Sequence, residues 1–188
     1  MKRFLIFIAL FMATTFAINA QTVDFRLSAG GNMTAKDGNS FIVVPFNGKT
    51  ASALFQQLFT NAGSVFKSST NKVIININGS SIGIRAYDNK LSYNLVNKQQ
   101  EWLGGYYNLS FEVKDGKVKV NAPTVDETMT DANGVRQKDF SKMVISFFTD
   151  GSLQAKYQQQ ATYTEQQLNN YVNAILTGVM INNSEADW

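Results

Sequence analysis

In five runs between Val73 and Val120, apolar residues of this chain fall on every second position. Val73, Ile75 and Ile77 are interleaved with Ile74, Asn76 and Asn78. Ile82, Ile84 and Ala86 are interleaved with Gly83, Arg85 and Tyr87. Leu91, Tyr93 and Leu95 then alternate with Ser92, Asn94 and Val96, and Leu109, Phe111 and Val113 with Ser110, Glu112 and Lys114. Val118 and Val120 alternate with Lys117 and Lys119. Successive strand side chains point to opposite faces, so the pattern requires antiparallel strands with one dry and one wet face. Asn78-Gly79, Asp88-Asn89 and Asp115-Gly116 divide the runs, and such dipeptides between alternating stretches signal hairpins. The expectation is a meander of four or five strands. Phe41 to Phe46 adds another. Pro45 has no N–H to give a ladder, so this strand belongs at a sheet edge or ends near Pro45.

Two stretches switch to the helical period. From Thr50 to Ala62, the residues Ala51, Leu54, Phe55, Leu58, Phe59 and Ala62 form one apolar stripe, and Gly63 stands where a C-terminal cap is expected. From Glu165 to Ile181, Leu168, Tyr171, Val172, Ile175, Leu176, Val179 and Met180 repeat the spacing, with Thr164 and Gln167 at capping-box distance. The other face of this second helix carries Gln166, Gln167, Asn169, Asn170, Asn173 and Thr177, read as a wet, uncharged face. Residues 28–40 read as a loop, and 123–139 as a long loop or an insertion. Phe140 to Phe148 admits a helix or a strand, and Asp150-Gly151 behind it favours the strand. Helices with one apolar stripe must cover the dry face of the sheet. The predicted fold is α+β and two-layered: a curved antiparallel sheet with two amphipathic helices packed on one face.

Lys2 and Arg3 precede the apolar run Phe4 to Phe16, and Ile18-Asn19-Ala20 offers a cleavage point before Gln21. This layout predicts a secretory signal peptide over residues 1–20, too short for a membrane span. Residues 21–40 then form an N-terminal strand and loop segment, 41–182 a single α+β domain, and 183–188 a C-terminal tail, read as mobile rather than as a docking segment through Trp188. The expected location is periplasmic or extracellular, with no integral membrane segment after cleavage. The whole chain has 17 Lys+Arg against 14 Asp+Glu; without Lys2 and Arg3 the balance is 15 to 14. That is too thin a basic footprint for phosphate binding, and no nucleic-acid partner is expected.

Three places resemble a family of secreted proteins from gut-type Gram-negative bacteria, described as a domain of unknown function with a TATA-binding-protein-like fold. They are Asn47-Gly48-Lys49 leading into the Leu54/Phe55/Leu58/Phe59 helix, Lys72 to Asn78 followed by Gly79, Ile82 and Gly83, and Tyr107 to Lys117. Together they span about residues 41–122. The strand Lys117-Val118-Lys119-Val120 departs from the aromatic and basic residues common in that family. The resemblance implies the fold and export, and it carries over no catalytic residue.

The chain has no histidine and no cysteine. Thiolate catalysis, Ser-His-Asp triads, disulfide scaffolds and the common zinc sites are therefore excluded. Only oxygen ligands remain for a metal. Asp126, Glu127, Asp131 and Asn133 share one segment, but only Asp131-x-Asn133-Gly134 fits a calcium-loop spacing. Gly48-Lys49-Thr50 imitates the end of a phosphate loop, yet Val43 stands where its first glycine belongs, so it reads as a turn leading into a helix. No metal, cofactor or catalytic residue is expected.

Two function classes remain. One is a non-enzymatic binding or interaction module of the cell envelope, taking an envelope protein, a peptide or a glycan. Its candidate binding patch is Trp102, Tyr106, Tyr107, Arg85, Tyr87 and Lys114: aromatic rings beside the flexible Gly104-Gly105, and polar residues of the wet sheet face. The other is a carboxylate-dependent hydrolase of envelope or dietary polymers, drawing on Glu101, Glu112, Glu165 and Asp115. A hydrolase needs two acids converging in one pocket. Acids pointing apart on an open surface favour the binding module.

Overall fold

The computed structural model describes residues 22–67, 72–77, 79–131, 134 and 137–178. The expected signal peptide (1–20), the tail with Trp188, and Asn78, Asn133 and Val179 to Ile181 lie outside the described residues. In chain order the elements are β1 (Phe25–Leu27), β2 (Met33–Ala35), β3 (Phe41–Pro45), α1 (Ala51–Val65), β4 (Lys72–Ile77), β5 (Ser81–Val96), β6 (Gln99–Lys114) and β7 (Lys117–Asp131). β8 (Gln137–Asp139), α2 (Phe140–Ile145), β9 (Phe148–Thr149), β10 (Ser152–Leu153), a 3-10 turn (Ala155–Tyr157) and α3 (Gln158–Thr177) complete the order. β3, β7, β6, β5 and β4 lie side by side, all antiparallel, with β8 also paired to β7.

The strands are longer and fewer than the turn signals suggest. Asp88-Asn89 makes no hairpin. It sits in an irregularity of β5, where the register against β6 shifts between Asp88 and Ser92. The hairpin comes instead at Asn97 and Lys98, whose φ values of 52° and 67° put two non-glycine residues in the left-handed region. Residues 123–139 are likewise not a loop. β7 runs on to Asp131 and β8 pairs with Thr128 to Thr130. Pro123 is accommodated where the β6–β7 register slips between Asn108 and Ser110, so its missing N–H interrupts no regular ladder. The 28–40 loop contains β2, which pairs with β1 as a separate hairpin. Phe140 to Ile145 is helical, not a strand: Asp139 caps it by accepting the Lys142 N–H at 3.0 Å.

Both long helices also shift at their ends. Thr50 caps α1 through the Ala53 N–H, but Gly63 is inside the helix, which ends at Phe66. α3 starts before Thr164, so that residue is no cap. Its hydroxyl lies in the helix, bonded to the Gln160 carbonyl and the Ser92 hydroxyl. Gly178, at φ 76°, closes the helix by donating to the Ala174 carbonyl.

Ile82, Ile84 and Ala86 of β5, Tyr107, Leu109, Phe111 and Val113 of β6, and Val118 and Val120 of β7 all face one side and are buried. Against them lie Leu54, Phe55, Leu58 and Ala62 of α1 and Leu168, Val172 and Ile175 of α3, in one continuous core. The helices touch each other and β5. Each of the larger side chains among these contributes roughly 1.5–3 kcal/mol by leaving water. The architecture is the expected α+β pair of layers, helices on one side and the opposite sheet face open.

The polar face of α3 is not wholly wet. Asn169 and Asn173 are each 8% exposed. Asn173 accepts the Val23 N–H at 2.8 Å and donates to the Val23 carbonyl at 2.9 Å. Asn169 does the same for Phe25, at 2.9 and 2.8 Å. Glu165 accepts the Leu27 N–H at 2.9 Å and pairs with Arg26 at 3.0 Å. α3 therefore holds β1 with side chains as a neighbouring strand would with its backbone.

A tyrosine cluster links α3 to β5 and β6. The Tyr107 and Tyr171 rings stack with centroids 4.9 Å apart, Tyr171 donates to Asp88 at 3.0 Å, and Tyr163 donates to the Lys90 carbonyl at 2.8 Å. Burial, with Asp88 nearby, raises Tyr107 and Tyr171 above the ordinary phenol range and pushes Tyr163 up to about 12. The folded chain thus keeps protons that the unfolded chain gives up near pH 10. These groups add stability that is full below pH 10 and falls as pH rises through 10 and beyond. Urea unfolding midpoints should hold up to that pH and then decline, with tyrosinate absorbance of the cluster appearing only as the chain unfolds. Full tyrosinate signal near pH 10 in a still-folded chain would contradict the burial.

Candidate functional site: the open sheet face

Residues directly opposite on paired strands share a face. Three rows therefore cross the open side of the sheet. The first runs Val73, Arg85, Asn108, Thr124; the second Ile75, Gly83, Ser110, Asn121, Phe41; the third Ser81, Glu112, Lys119, Val43. The polar residues lie toward the middle of the sheet, and apolar side chains end the rows: Val73 and Ile75 on β4, Phe41 and Val43 on β3. Val73, Ile75, Val43 and Phe41 are 54%, 52%, 45% and 39% exposed, an unusual set of large apolar side chains to leave in water.

The polar middle is internally held. The Arg85 guanidinium lies 3.8 Å from the Tyr106 ring centroid and pairs with Asp126. Asn108 donates to the other Asp126 oxygen at 3.1 Å, and Tyr87 meets Tyr106 edge-on at 5.1 Å. One row pair further, Lys119 bonds Glu112 at 2.8 Å and Asn121 bonds it at 3.2 Å. These hydrogen bonds, Lys119 first, hold the Glu112 carboxyl below its usual range. Lys119 also stands 5.1 Å over the Phe41 ring. The arrangement can present fixed charges and hydrogen-bond groups between two apolar margins.

Of the six residues named from the sequence, Arg85, Tyr87 and Tyr106 lie together. The other three do not. Tyr107 is 1% exposed, and its place in a surface patch is corrected: neighbours along a strand point oppositely, so Tyr106 outside puts Tyr107 in the core. Trp102 packs against Tyr93 at 5.7 Å and Tyr163 at 5.3 Å, with Lys90 over its ring at 5.4 Å. Lys114 is exposed at the far end of β6, eight positions and on the order of 25 Å from Tyr106. Asp126, Asn108 and Lys119 belong to the group, and Asp126 had been assigned to a loop. Gly104 is not there for flexibility. A Cβ at that position would overlap the Tyr87 ring and approach the Asn89 Cα to 2.9 Å, so glycine lets the β5 irregularity lie close and Tyr87 fold over.

The four acids named from the sequence do not converge on one another. Glu112 is paired on the open face, Asp115 accepts the Ala51 N–H at the start of α1, and Glu165 holds β1. Glu101 lies elsewhere, beside α2. No group of three acids suited to a metal occurs among the described residues. Gly48, at φ 76°, and the Thr50 cap make Gly48-Lys49-Thr50 a turn and helix start. No helix among the described residues is long and apolar enough to cross a membrane.

No protein-family model and no curated protein matches the chain. Two solved structures resemble it in fold. A DUF4468 family protein from Bacteroides ovatus ATCC 8483 superposes with a TM-score of 0.57 at 10% identity, over 81% of this chain and 90% of its own. A TBP-like protein from Parabacteroides distasonis ATCC 8503 gives 0.55 at 9% identity, over 73% and 89%. At such identities the likeness is one of fold: this chain has the α+β architecture of those two proteins, one of them TBP-like.

Proposed function

We propose that the chain is an exported, non-catalytic binding module of the cell envelope that holds a protein or peptide partner against the open sheet face. The exposed margins Val73, Ile75, Val43 and Phe41 around a pre-paired polar middle carry this reading. Apolar groups supply the area lost from water on association, and fixed polar groups supply register. A glycan fits less well. Sugars stack on free aromatic faces, and here Arg85 covers Tyr106 while Tyr93 and Tyr163 surround Trp102. The spread of Glu101, Glu112, Glu165 and Asp115 favours binding over hydrolysis.

The test is photo-crosslinking in intact cells of the source organism, with the photoreactive residue placed at Val43, at Ile75 or at Phe59. Phe59 is exposed on α1, away from the open face. The reading expects one discrete partner from the two sheet positions and none from Phe59. Crosslinks from Phe59 alone, or from none of the three, would overturn it.

A further inference from the structure

A second site lies at the other end of the sheet. The ends of β5 and β6, the β8–α2 junction and the 3-10 turn before α3 enclose a cleft of about 840 Å³. That is within the usual range of about 300–1,000 Å³ for small-molecule sites. Its floor is apolar: Phe147 is 1% and Met143 8% exposed, and the Tyr157 ring stacks on Phe147 at 4.9 Å. Three lysines, Lys138, Lys142 and Lys156, stand around it against two carboxylates, Glu101 and Asp139. Lys142 is paired with Asp139 at 3.2 Å. Lys138 makes no ion pair among the described residues, and Lys156 lies 4.7 Å over the Tyr157 ring with no carboxylate.

One buried polar group also faces this space. Gln160 lines the cleft and is 4% exposed, and among the described residues its amide N–H donates to the Met143 sulfur alone, at 3.7 Å. A thioether is a weak acceptor, and a ligand oxygen would replace it readily. A buried amide left with so poor a partner is costly unless something better arrives.

We propose that this cleft binds a small organic anion with a flat apolar body. The body lies on Phe147, Tyr157 and Met143. The anionic end meets Lys138 and Lys156 and takes the Gln160 amide N–H. The site is independent of the open sheet face, and either proposal can fail without the other.

The probes are 8-anilinonaphthalene-1-sulfonate and its uncharged analogue N-phenyl-1-naphthylamine, titrated into the chain from residue 21 onward. Fluorescence and backbone amide shifts are followed together. The expected result is saturable one-to-one binding of the sulfonate, weakened by added salt, with amide shifts at Met143, Phe147, Tyr157 and Gln160. Lys138→Gln with Lys156→Gln should weaken the sulfonate about tenfold and leave the neutral analogue unchanged. Gln160→Met, which keeps the volume but removes the amide, should also weaken the sulfonate more than the analogue. Both lysines are exposed, so their replacement leaves the core intact. Equal affinity for the two probes, indifference to the lysine changes, or shifts confined to Val43, Val73 and Ile75 would overturn the proposal.

Discussion

Replacing Asn169 and Asn173 together by alanine is expected to release the N-terminal hairpin from α3. The reason is a match of two repeats. Four residues of helix rise about 6 Å, and two residues of strand advance about 6.6 Å. Glu165, Asn169 and Asn173, four apart on α3, therefore meet Leu27, Phe25 and Val23, two apart along β1 and the residues just before it. Each asparagine takes one backbone N–H and gives one hydrogen to the same residue's carbonyl. Alanine at both positions orphans four buried backbone groups, at a cost of about 1–3 kcal/mol each when water cannot reach them. Release lets water in, so the loss is capped by what the hairpin's docking is worth. That docking includes Phe25, 0% exposed, and Val23, 1% exposed. Hydrogen exchange should show the Val23 and Phe25 amides losing protection while the Phe111 amide in the sheet centre keeps its own. Asn170→Ala, on the same helix but without these bonds, should be near neutral. Retained protection at Val23 in the double variant would refute the clasp.

This clasp shows where reading the residues stops working. Asparagine on the polar side of a helix looks solvated, because nothing local says that a strand from 150 residues earlier will lie across it. The strands were legible because their period of two is a local property, but alternation does not fix its phase: Val73 and Ile75, read as the dry set of their run, stand exposed on the open face while Ile74 packs against the core. The strand ends were less legible. Asp88-Asn89 carries turn chemistry that the β5 irregularity absorbs, while Asn97-Lys98 turns without a glycine. The run after Pro123 looked like a loop because it is polar, yet Met129 at 0% exposure and the pairing of β8 make it a strand. In the candidate site, the shared face of Arg85 and Tyr87 was legible, whereas Tyr106 and Tyr107 were read as one patch beside Gly104-Gly105; only carrying the alternation of Leu109, Phe111 and Val113 back to them puts Tyr106 outside and Tyr107 in the core. Asp126 was not legible, since its pairing with Arg85 depends on the register of a third strand.

Gly31→Ala should be among the most damaging single changes in the chain, and Gly38→Ala separates its two causes. Both glycines sit beside β2, both with positive φ, 81° and 84°. Left-handed backbone at an L-residue costs roughly 1–2 kcal/mol. At Gly38 that is the whole effect, because an added Cβ meets nothing within 4 Å. At Gly31 the same Cβ would run into the Ser141 hydroxyl and come within 2.9 Å of the Ser141 carbonyl oxygen, with Ile145 at 3.1 Å. Forcing an atom into a filled space adds about 1–3 kcal/mol. A carbonyl oxygen of α2 cannot swing aside as a side chain does, so the hairpin must lift from α2 or α2 must move. The expected order of stability is wild type, Gly38→Ala, then Gly31→Ala, the last lower by about 2–5 kcal/mol in urea unfolding. Adding Ser141→Ala should recover only part of the loss, since it removes the hydroxyl and leaves the carbonyl. Equal effects at the two glycines would mean that backbone strain is all that matters here and that the hairpin is not pressed against α2. The consequence reaches both proposals. α2 carries Lys142 and Met143 at the cleft, and the chain from β2 leads directly into Phe41 and Val43 of the open face. A hairpin seated wrongly against α2 should therefore disturb anion binding before it disturbs the distant Arg85–Tyr106 contact.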